Sequence, residues 1–519
     1  MRGVTGVTPE EVKGAVYLGG GGTTTTFQRA VDEALIQGFN ELNGDFSKET
    51  FPKGKYLSFD PSTTPLFPSK LRDAEKQKFQ EWTGLSWDWF LKMYRPELVK
   101  EGKVRLYFIN DEEKIGDGQA RIYYEENGKL ELLSSSKTQS RPEIFANIHP
   151  ALKELVGNNP QNCHVALSGL PSKDFEILFE EQMRLVYQAL GVPAHQIKIL
   201  TDKSEEKSLE IIEEANTIDV SGGDQAEYEK NMRNKSRVVQ AVNDKVAKGE
   251  LSLITTSASC AAIGPYMIAG LGKQDNPLVV ARRKANGGTW VVTGLGVLEG
   301  IFTETHLLGP KKRCNGDGEY QIVETGRDRV SRFLAALLSI TELYDIKKED
   351  LPLGIASTEG TFGEIKEGKL RVISDHPFGG CYVIDPKKLS GVHFETMGEG
   401  KDKVATLTSV KAYRQGATEP TELIWDKKIQ KEKGSSGCYL TTSRFGREED
   451  PNAFDGVGMV WNGEILNLKD MTLTVARWDM GHSFPLAEGC RLIDENGNDM
   501  GVYYTETAMA LPKLMAAGR

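Results

Sequence analysis

Leu251-Ser-Leu-Ile-Thr-Thr-Ser-Ala-Ser-Cys-Ala261 reads as a short buried strand, a sharp turn and the start of an apolar helix. Working back from it, a helical pattern covers about 226–248 and stops at Gly249, a residue suited to the left-handed turn that ends helices. Before that helix stands the strand Thr217-Ile-Asp-Val220, ending at Ser221-Gly-Gly-Asp-Gln225. Earlier still come a short helix at Ser208–Ala215, the strand Ile197-Lys-Ile-Leu200, a helix near 174–190 and the strand Cys163-His-Val-Ala-Leu167. The same unit opens the chain: Gly14-Ala-Val-Tyr-Leu18 is a short apolar run, Gly19-Gly-Gly-Gly22 a loop, and 27–36 has helical spacing. Strands alternating with helices of this length predict an α/β fold with a mostly parallel sheet covered by helices.

Two stretches leave that rhythm. Residues 45–160 begin Pro- and Lys-rich, continue with Trp82, Trp87, Trp89 and Tyr94 on short helices, and end in the strand-like runs 104–109, 120–124 and 130–133. They read as an inserted α+β segment whose aromatics form a small core of their own. After about 365 helical patterns nearly vanish. Cys381-Tyr-Val-Ile384, Val404-Ala-Thr-Leu-Thr408 and Thr472-Leu-Thr-Val475 are strand-like, and Asp494-Glu-Asn-Gly-Asn-Asp-Met-Gly501 is a hairpin turn, lacking the spacing of a calcium loop. The expected division is 1–44 with 161–390 as the α/β domain, 45–160 as the insertion and 391–519 as a β-rich C-terminal extension.

The 519 residues carry a net charge of −10, and 39% are hydrophobic and 27% charged, an ordinary balance for a globular chain. That charge argues against nucleic acid as partner, since phosphate binding needs a basic face. No run of about 20 apolar residues suggests a membrane span. The first residues lack a signal-peptide profile, so the location expected is cytoplasmic, or secreted with a signal already removed. Cys163, Cys260, Cys314, Cys381, Cys438 and Cys490 form no CxxC pair. Free buried thiols are therefore expected, with no metal site and no cofactor. The glycine loop lacks the GK[ST] ending of a phosphate cradle.

A serine becomes a nucleophile when a sharp strand-to-helix turn projects its hydroxyl and a base stands by to take its proton. Ser257 occupies such a turn, although Thr255 and Ser259 stand where glycines are usual, and a serine-rich turn before a helix also serves as a plain N-cap. Cys260 lies one turn inside the helix and is the weaker candidate. For the base, His306 follows the apolar runs Thr293-Gly-Leu-Gly-Val-Leu298 and Gly300-Ile-Phe302, at or just past a strand end, where sites collect in open α/β sheets. Glu359 follows the strand Leu353-Gly-Ile-Ala356 in the same way and is of the type that orients an imidazole.

Taken together, six blocks in this order resemble the cyanophycinase and aspartyl dipeptidase family of serine peptidases. They are Leu18-Gly-Gly-Gly-Gly22, Ser221-Gly-Gly-Asp-Gln225, Thr255-Thr-Ser-Ala-Ser-Cys260, Gly294-Leu-Gly-Val-Leu298 with Glu304-Thr-His-Leu307, Thr325-Gly-Arg-Asp-Arg-Val-Ser-Arg-Phe333 and Gly354-Ile-Ala-Ser-Thr-Glu-Gly-Thr361. The resemblance spans about 15–44 and 161–390. It implies a flavodoxin-like fold related to class I glutamine amidotransferases. It implies Ser257 as nucleophile, His306 as proton relay and Glu359 as its orienting carboxylate. It further implies an oxyanion hole of the Ala258 amide with one from Gly20 or Gly21, and a cleft lined by Gln225, Glu304, Thr305, Arg327, Arg329 and Arg332, with an arginine recognising a substrate carboxylate. The activity implied is cleavage of an aspartyl or β-aspartyl peptide or isopeptide through an acyl-enzyme, in a homodimer. The sequence departs from the family at Glu304-Thr305, where the family has Asp-Gln, and in about 20 residues, including Lys311-Lys-Arg313, between His306 and the arginine block. Two alternatives stay open: an amidase or acyl transferase using the same residues, and an inactive binding or scaffold protein of the same fold.

Overall fold

Five parallel strands form the half of the main sheet on which the first unit is built. They are β1 (Val16–Gly19), β6 (Val165–Ser168), β7 (Ile197–Ile199), β8 (Thr217–Val220) and β9 (Ser252–Thr256), in the spatial order β7-β6-β8-β9-β1. The computed structural model of the chain describes residues 5–21, 57–59, 105–110, 119–126, 129–137, 148–168, 180, 183–184, 186–188, 190–200, 203–223, 235–270, 279–281, 289–307, 309–314, 320–325, 329–375, 379–398, 404–413, 418–424, 455–475, 491–493 and 499–502. The expected helix at 27–36, most of that at 174–190, and the tryptophans of the insertion lie outside these residues.

Alternation along the strands divides the sheet's two faces. Val16, Leu18, Ala166, Ile218, Val220 and Leu253 belong to one apolar cluster, whereas Tyr17, Val165, Leu167 and Ile254 belong to another. A period of two is what a pleated strand buried on both faces requires. Helices α2 (Glu205–Glu214) and α3 (Ser236–Lys248) cover the first face through Ile211, Ile212, Val238, Val239, Val242 and Val246. Helix α1 (Pro150–Val156) joins the second cluster, with Val186 and Tyr187. The described helix α3 starts at Ser236, so the expected start near 226 falls outside the described residues; it ends on Gly249 in the left-handed conformation, φ 81°. Lys245 of α3 donates to the carbonyls of Ile212, Glu213 and Ala215 at 2.8–2.9 Å, satisfying the end of α2 with a cation.

The sheet is mixed rather than mostly parallel. On the far side of β1 lie β17 (Thr361–Lys366), β18 (Lys369–Ser374), β24 (Ile465–Asn467) and β25 (Thr472–Val475), all antiparallel to their neighbours. The cause is local: β17 and β18 are joined by Glu367-Gly368, both at positive φ (49° and 71°). That two-residue turn matches the twist of paired strands and folds the chain straight back.

A second core, apart from the two clusters on the main sheet, surrounds α5 (Val330–Tyr344), with Phe302 stacked on Phe333 at 5.9 Å. This helix lies against a sheet of β10 (Tyr266–Gly270), β12 (Thr289–Thr293), β11 (Val279–Ala281), β21 (Val404–Tyr413) and β20 (Ser390–Met397), with β22 (Pro420–Ile424) also on β21. It also contacts a sheet of β13 (Ile301–Leu307), β16 (Leu353–Thr358), β19 (Gly380–Ile384) and β23 (Val457–Trp461). Strands from beyond residue 391 therefore pair with strands from before it. Between β13 and α5 the chain forms a hairpin, β14 (Gly309–Cys314) with β15 (Tyr320–Thr325). Within 45–160, β2 (Leu57–Phe59), β3 (Arg105–Asn110), β4 (Gln119–Glu126) and β5 (Lys129–Lys137) form a four-stranded antiparallel sheet. β26 (Arg491–Ile493) and β27 (Asp499–Val502) pair across the expected 494–501 turn. The architecture is α/β, a mixed sheet flanked by helices with further strand-rich segments. No described helix is long and apolar enough to cross a membrane.

Candidate active site

β9 ends at Thr256, α4 (Ala258–Ala262) begins one residue later, and Ser257 makes the turn between them at φ 56°, ψ −114°. A non-glycine residue there is strained by about 1–3 kcal/mol and is held only by its surroundings. Those surroundings are explicit. Ser257 N–H donates to Gly19 O at 3.0 Å, and Ala261 N–H returns to Ser257 O at 2.9 Å. The two residues that depart from glycine each brace the turn. Thr255 Oγ1 donates to Tyr17 O at 2.7 Å. Ser259 Oγ accepts from Thr256 N–H at 2.9 Å and has Val220 O (2.9 Å) and Thr256 O (3.0 Å) as acceptors for its one proton. Gly222, after β8, packs so close that a Cβ there would stand 2.8 Å from Ser257 Cβ. Cys260 is buried, and burial pushes its thiol far above the ordinary value, so it is inert.

His306 lies within β13, not past its end. The register of β13 on β16 is regular to Glu304 opposite Ala356 and resumes at Leu307 opposite Thr358. Two residues, Thr305 and His306, therefore face one, which is a bulge, and His306 sits in it at φ 55°. Bulges re-aim side chains. Here the imidazole Nε2 lies 2.6 Å from Ser257 Oγ, and Nδ1 lies 2.8 Å from Glu359 Oε1. With a carboxylate on Nδ1, the proton belongs on that nitrogen, and Nε2 is left to accept from the serine. His306 is about a quarter exposed and Glu359 less so.

Glu359 occupies the turn from β16 to β17, where expected. The next peptide is fixed on three sides: His149 Nε2, Ser374 Oγ and Asp375 N–H all bond Gly360 O, at 3.1, 2.9 and 3.1 Å. His149 is buried, accepts Ala151 N–H on Nδ1 and stands edge-on to Phe362. Sequence reasoning missed it, although a histidine directly before Pro150 at a helix start was a visible N-cap signal.

The glycine loop has a backbone role beside the one expected. Its three successive carbonyls each take a backbone N–H from one member of the group: Gly19 O from Ser257, Gly20 O from His306 at 2.7 Å, and Gly21 O from Gly360 at 2.9 Å. Gly20 N–H is itself engaged with Thr361 O at 3.0 Å, which removes Gly20 from the expected oxyanion donors. Among the described residues no acceptor is recorded for the amides of Gly21 and Ala258. Approach this close excludes side chains. A Cβ on Gly20 would collide with Thr358 O, and one on Gly21 would stand 2.6 Å from His306 Nδ1.

The expected substrate residues separate into two sets. Gln225 and Arg327 lie outside the described residues. Glu304, Thr305 and Arg332, expected at the substrate, are buried. Arg332 Nε donates to Glu304 Oε2 at 2.8 Å, and its Nη2 stands 2.6 Å from the same oxygen. Arg329 Nη1 reaches Glu304 Oε1 at 3.3 Å and Thr305 O at 3.0 Å. Burial alone would raise the Glu304 carboxyl, but Arg332 and Arg329 outweigh it and hold it below the ordinary value, ionised. The two arginines thus bind a carboxylate of the protein.

No family model matches the chain, and no curated protein matches it. Among solved structures it is similar to a peptidase from an acI-B1 Actinobacterium, with 15% identity over 45% of this chain and 85% of that one and a TM-score of 0.30. It is also similar to a putative peptidase E protein from Listeria monocytogenes EGD-e, with 12% identity over 45% of this chain and 95% of that one and a TM-score of 0.27. These are distant and partial likenesses.

Proposed function

We propose that the chain is a serine-type hydrolase that cleaves a peptide or related amide bond through an acyl-enzyme on Ser257. One observation carries the reading: Ser257 Oγ, His306 and Glu359 form a continuous hydrogen-bonded line, 2.6 and 2.8 Å, with the serine on a strained strand-to-helix turn. A strained residue on such a turn is a recurring mark of a nucleophile.

On this reading Ser257 Oγ bonds to the substrate carbonyl carbon while His306 Nε2 takes the hydroxyl proton. Glu359 keeps Nδ1 protonated and stabilises the imidazolium that forms. The oxyanion draws on the amides of Ala258 and Gly21. When the intermediate collapses, the C–N bond breaks and His306 gives its proton to the leaving amine. Water, deprotonated by His306, then attacks the acyl carbon and returns Ser257.

The aspartyl or β-aspartyl substrate class comes from the resemblance of the six blocks. With Arg329 and Arg332 bound to Glu304, recognition of a substrate carboxylate on this reading is assigned to Arg327, and Gln225 keeps the substrate role that the resemblance implies. A flavodoxin-like core built from 1–44 and 161–390 is part of the same reading: β6 to β9 run in the order 2-1-3-4, with β1, the first strand of the chain, in the fifth place. A homodimer is part of the same reading. The test is turnover of cyanophycin, β-Asp-Arg, α-aspartyl dipeptides and neutral peptides by wild type and Ser257→Ala. Cleavage of at least one by the wild type, lost in the variant, is expected. Activity that survives Ser257→Ala would sink the assignment.

A further inference from the structure

We infer that Arg329, acting through Glu304 and Thr305, is a positioning residue that aims His306 at Ser257; the inference rests on the functional reading above. The bulge on β13 is where the argument begins. Where two residues face one, the extra residue loses its ladder partner, and the strand is free to bend there. His306 depends on that point, because its ring follows from ψ of Thr305 and its own φ of 55°. The missing ladder bonds are replaced by side chains. Thr305 N–H donates to Glu304 Oε1 at 2.9 Å, and Thr305 O accepts from Arg329 Nη1 at 3.0 Å. The peptide units on both sides of Thr305 are therefore held, and His306 N–H is held next to them by Gly20 O.

The anchor at the other end is rigid. Arg329 is the N-cap residue of α5 and Arg332 lies in its first turn, three residues on and so on the same face. Phe333, Leu334 and Leu337 of that helix are fully buried. The cluster thus fastens the bulge to the best-packed helix of the second core. It also closes the base of the β14–β15 hairpin, whose ends lead from His306 and into Arg329. Both carboxylate oxygens of Glu304 are occupied, and Arg329 serves Glu304 and the Thr305 carbonyl with one nitrogen. A planar guanidinium suits that double duty better than an ammonium.

A substrate-binding arginine and a positioning arginine give opposite results with an uncharged reagent. The experiment uses the full-length protein and a neutral fluorophosphonate, which reacts with an activated serine and has no carboxylate to recognise. Its inactivation rate constant (kinact) and half-saturating concentration (KI) are measured for wild type, Ser257→Ala, Arg329→Gln and Arg329→Lys at a temperature well below every melting point. Wild type is expected to label at Ser257 and Ser257→Ala not at all. Arg329→Gln is expected to lower kinact about 100-fold with KI unchanged, the size of effect that a displacement of about 1 Å produces. Arg329→Lys, which keeps a donor and the charge beside Glu304, is expected to recover part of that loss, and it carries the comparison should Arg329→Gln fail to fold. Wild-type kinact in both variants would overturn the positioning role and leave the Ser257 reading standing. An effect on melting temperature alone would do the same. Failure of the wild type to label at Ser257 would bring down the functional reading, and the positioning role with it.

Discussion

Gly21→Ala separates the two reasons a glycine can be required. The new methyl would stand 2.6 Å from Nδ1 and 2.7 Å from Nε2 of His306, with Cε1 nearer still. Ordinary contact needs about 3.5 Å, so the ring must retreat by about 1 Å. The Ser257–His306 bond is 2.6 Å now and has little room to lengthen before it is lost. A displacement of that size costs about 100-fold in rate, and complete loss of the base about a million-fold, so the expected loss lies between. The substitution also places a side chain at φ 94°, which costs about 1–2 kcal/mol of stability wherever it occurs. Gly296→Ala supplies the matched control: it has φ 68°, and a Cβ there meets nothing within 4 Å. Both variants should melt lower than wild type, Gly21→Ala by at least as much as Gly296→Ala, and only Gly21→Ala should lose fluorophosphonate labelling. Equal labelling of Gly21→Ala and wild type would refute the reasoning, as would an equal loss in Gly296→Ala.

Other consequences follow from the same geometry. Ser257→Gly should abolish labelling yet raise the melting temperature, because glycine tolerates φ 56° and relieves about 1 kcal/mol or more of strain; a lower melting point would deny the strain. Glu359→Gln should keep the fold and cut labelling by as much as about 10,000-fold at neutral pH, since an amide can hold the imidazole in the wrong tautomer; near-wild-type kinact would remove Glu359 from the mechanism. Asp219 is buried under Tyr187, which donates to it at 2.9 Å, and burial pushes its carboxyl up to about 7 despite that bond. The folded state therefore holds a proton that the unfolded state releases near pH 4, so stability falls as pH rises from about 4 to 7, by at most about 4 kcal/mol. Urea denaturation should show this slope in wild type and a flatter one in Asp219→Asn, and identical slopes would contradict it.

The parallel half of the sheet was legible because its signals are local. Each of β1, β6, β7, β8 and β9 is a short apolar run followed by a loop, and Gly249 marks the end of α3. The Ser257 turn was legible for the same reason. The outer antiparallel edge was not, because β24 joins β18 across almost a hundred residues and β25 follows on β24, and no local pattern records the β18–β24 pairing. The β14–β15 hairpin carries a local signal of its own, since Asn315-Gly-Asp-Gly318 between charged alternating runs is turn chemistry. The engagement of Arg329 and Arg332 with Glu304 could not be read at all. An arginine's partner is set by which buried carboxylate the fold brings near it, and sequence spacing carries no such information.

The structure gives the Gly19–Gly21 loop a larger part than an oxyanion donor would have. Ser257 and Glu359 follow β9 and β16, and His306 lies in β13, three strands that are all far from β1 in sequence. Any scheme that aligned them only through side chains would accumulate the tolerance of each rotamer. Here the backbone N–H of Ser257, that of His306 and that of the residue after Glu359 are each referred to consecutive carbonyls of one strand end. Consecutive carbonyls of a fixed chain have spacings set by covalent geometry, so the three partners inherit a common frame. The frame requires backbone-to-backbone approach on every side, which is why a Cβ is excluded at Gly20 and Gly21. It also explains how a hairpin can begin three residues after His306 without disturbing it: the histidine's main chain is tied to Gly20 and its neighbour to Arg329 before the chain departs. Enlarging or shortening the β14–β15 hairpin at its 315–319 turn should therefore leave labelling of Ser257 unchanged, whereas the single methyl of Gly21→Ala should not.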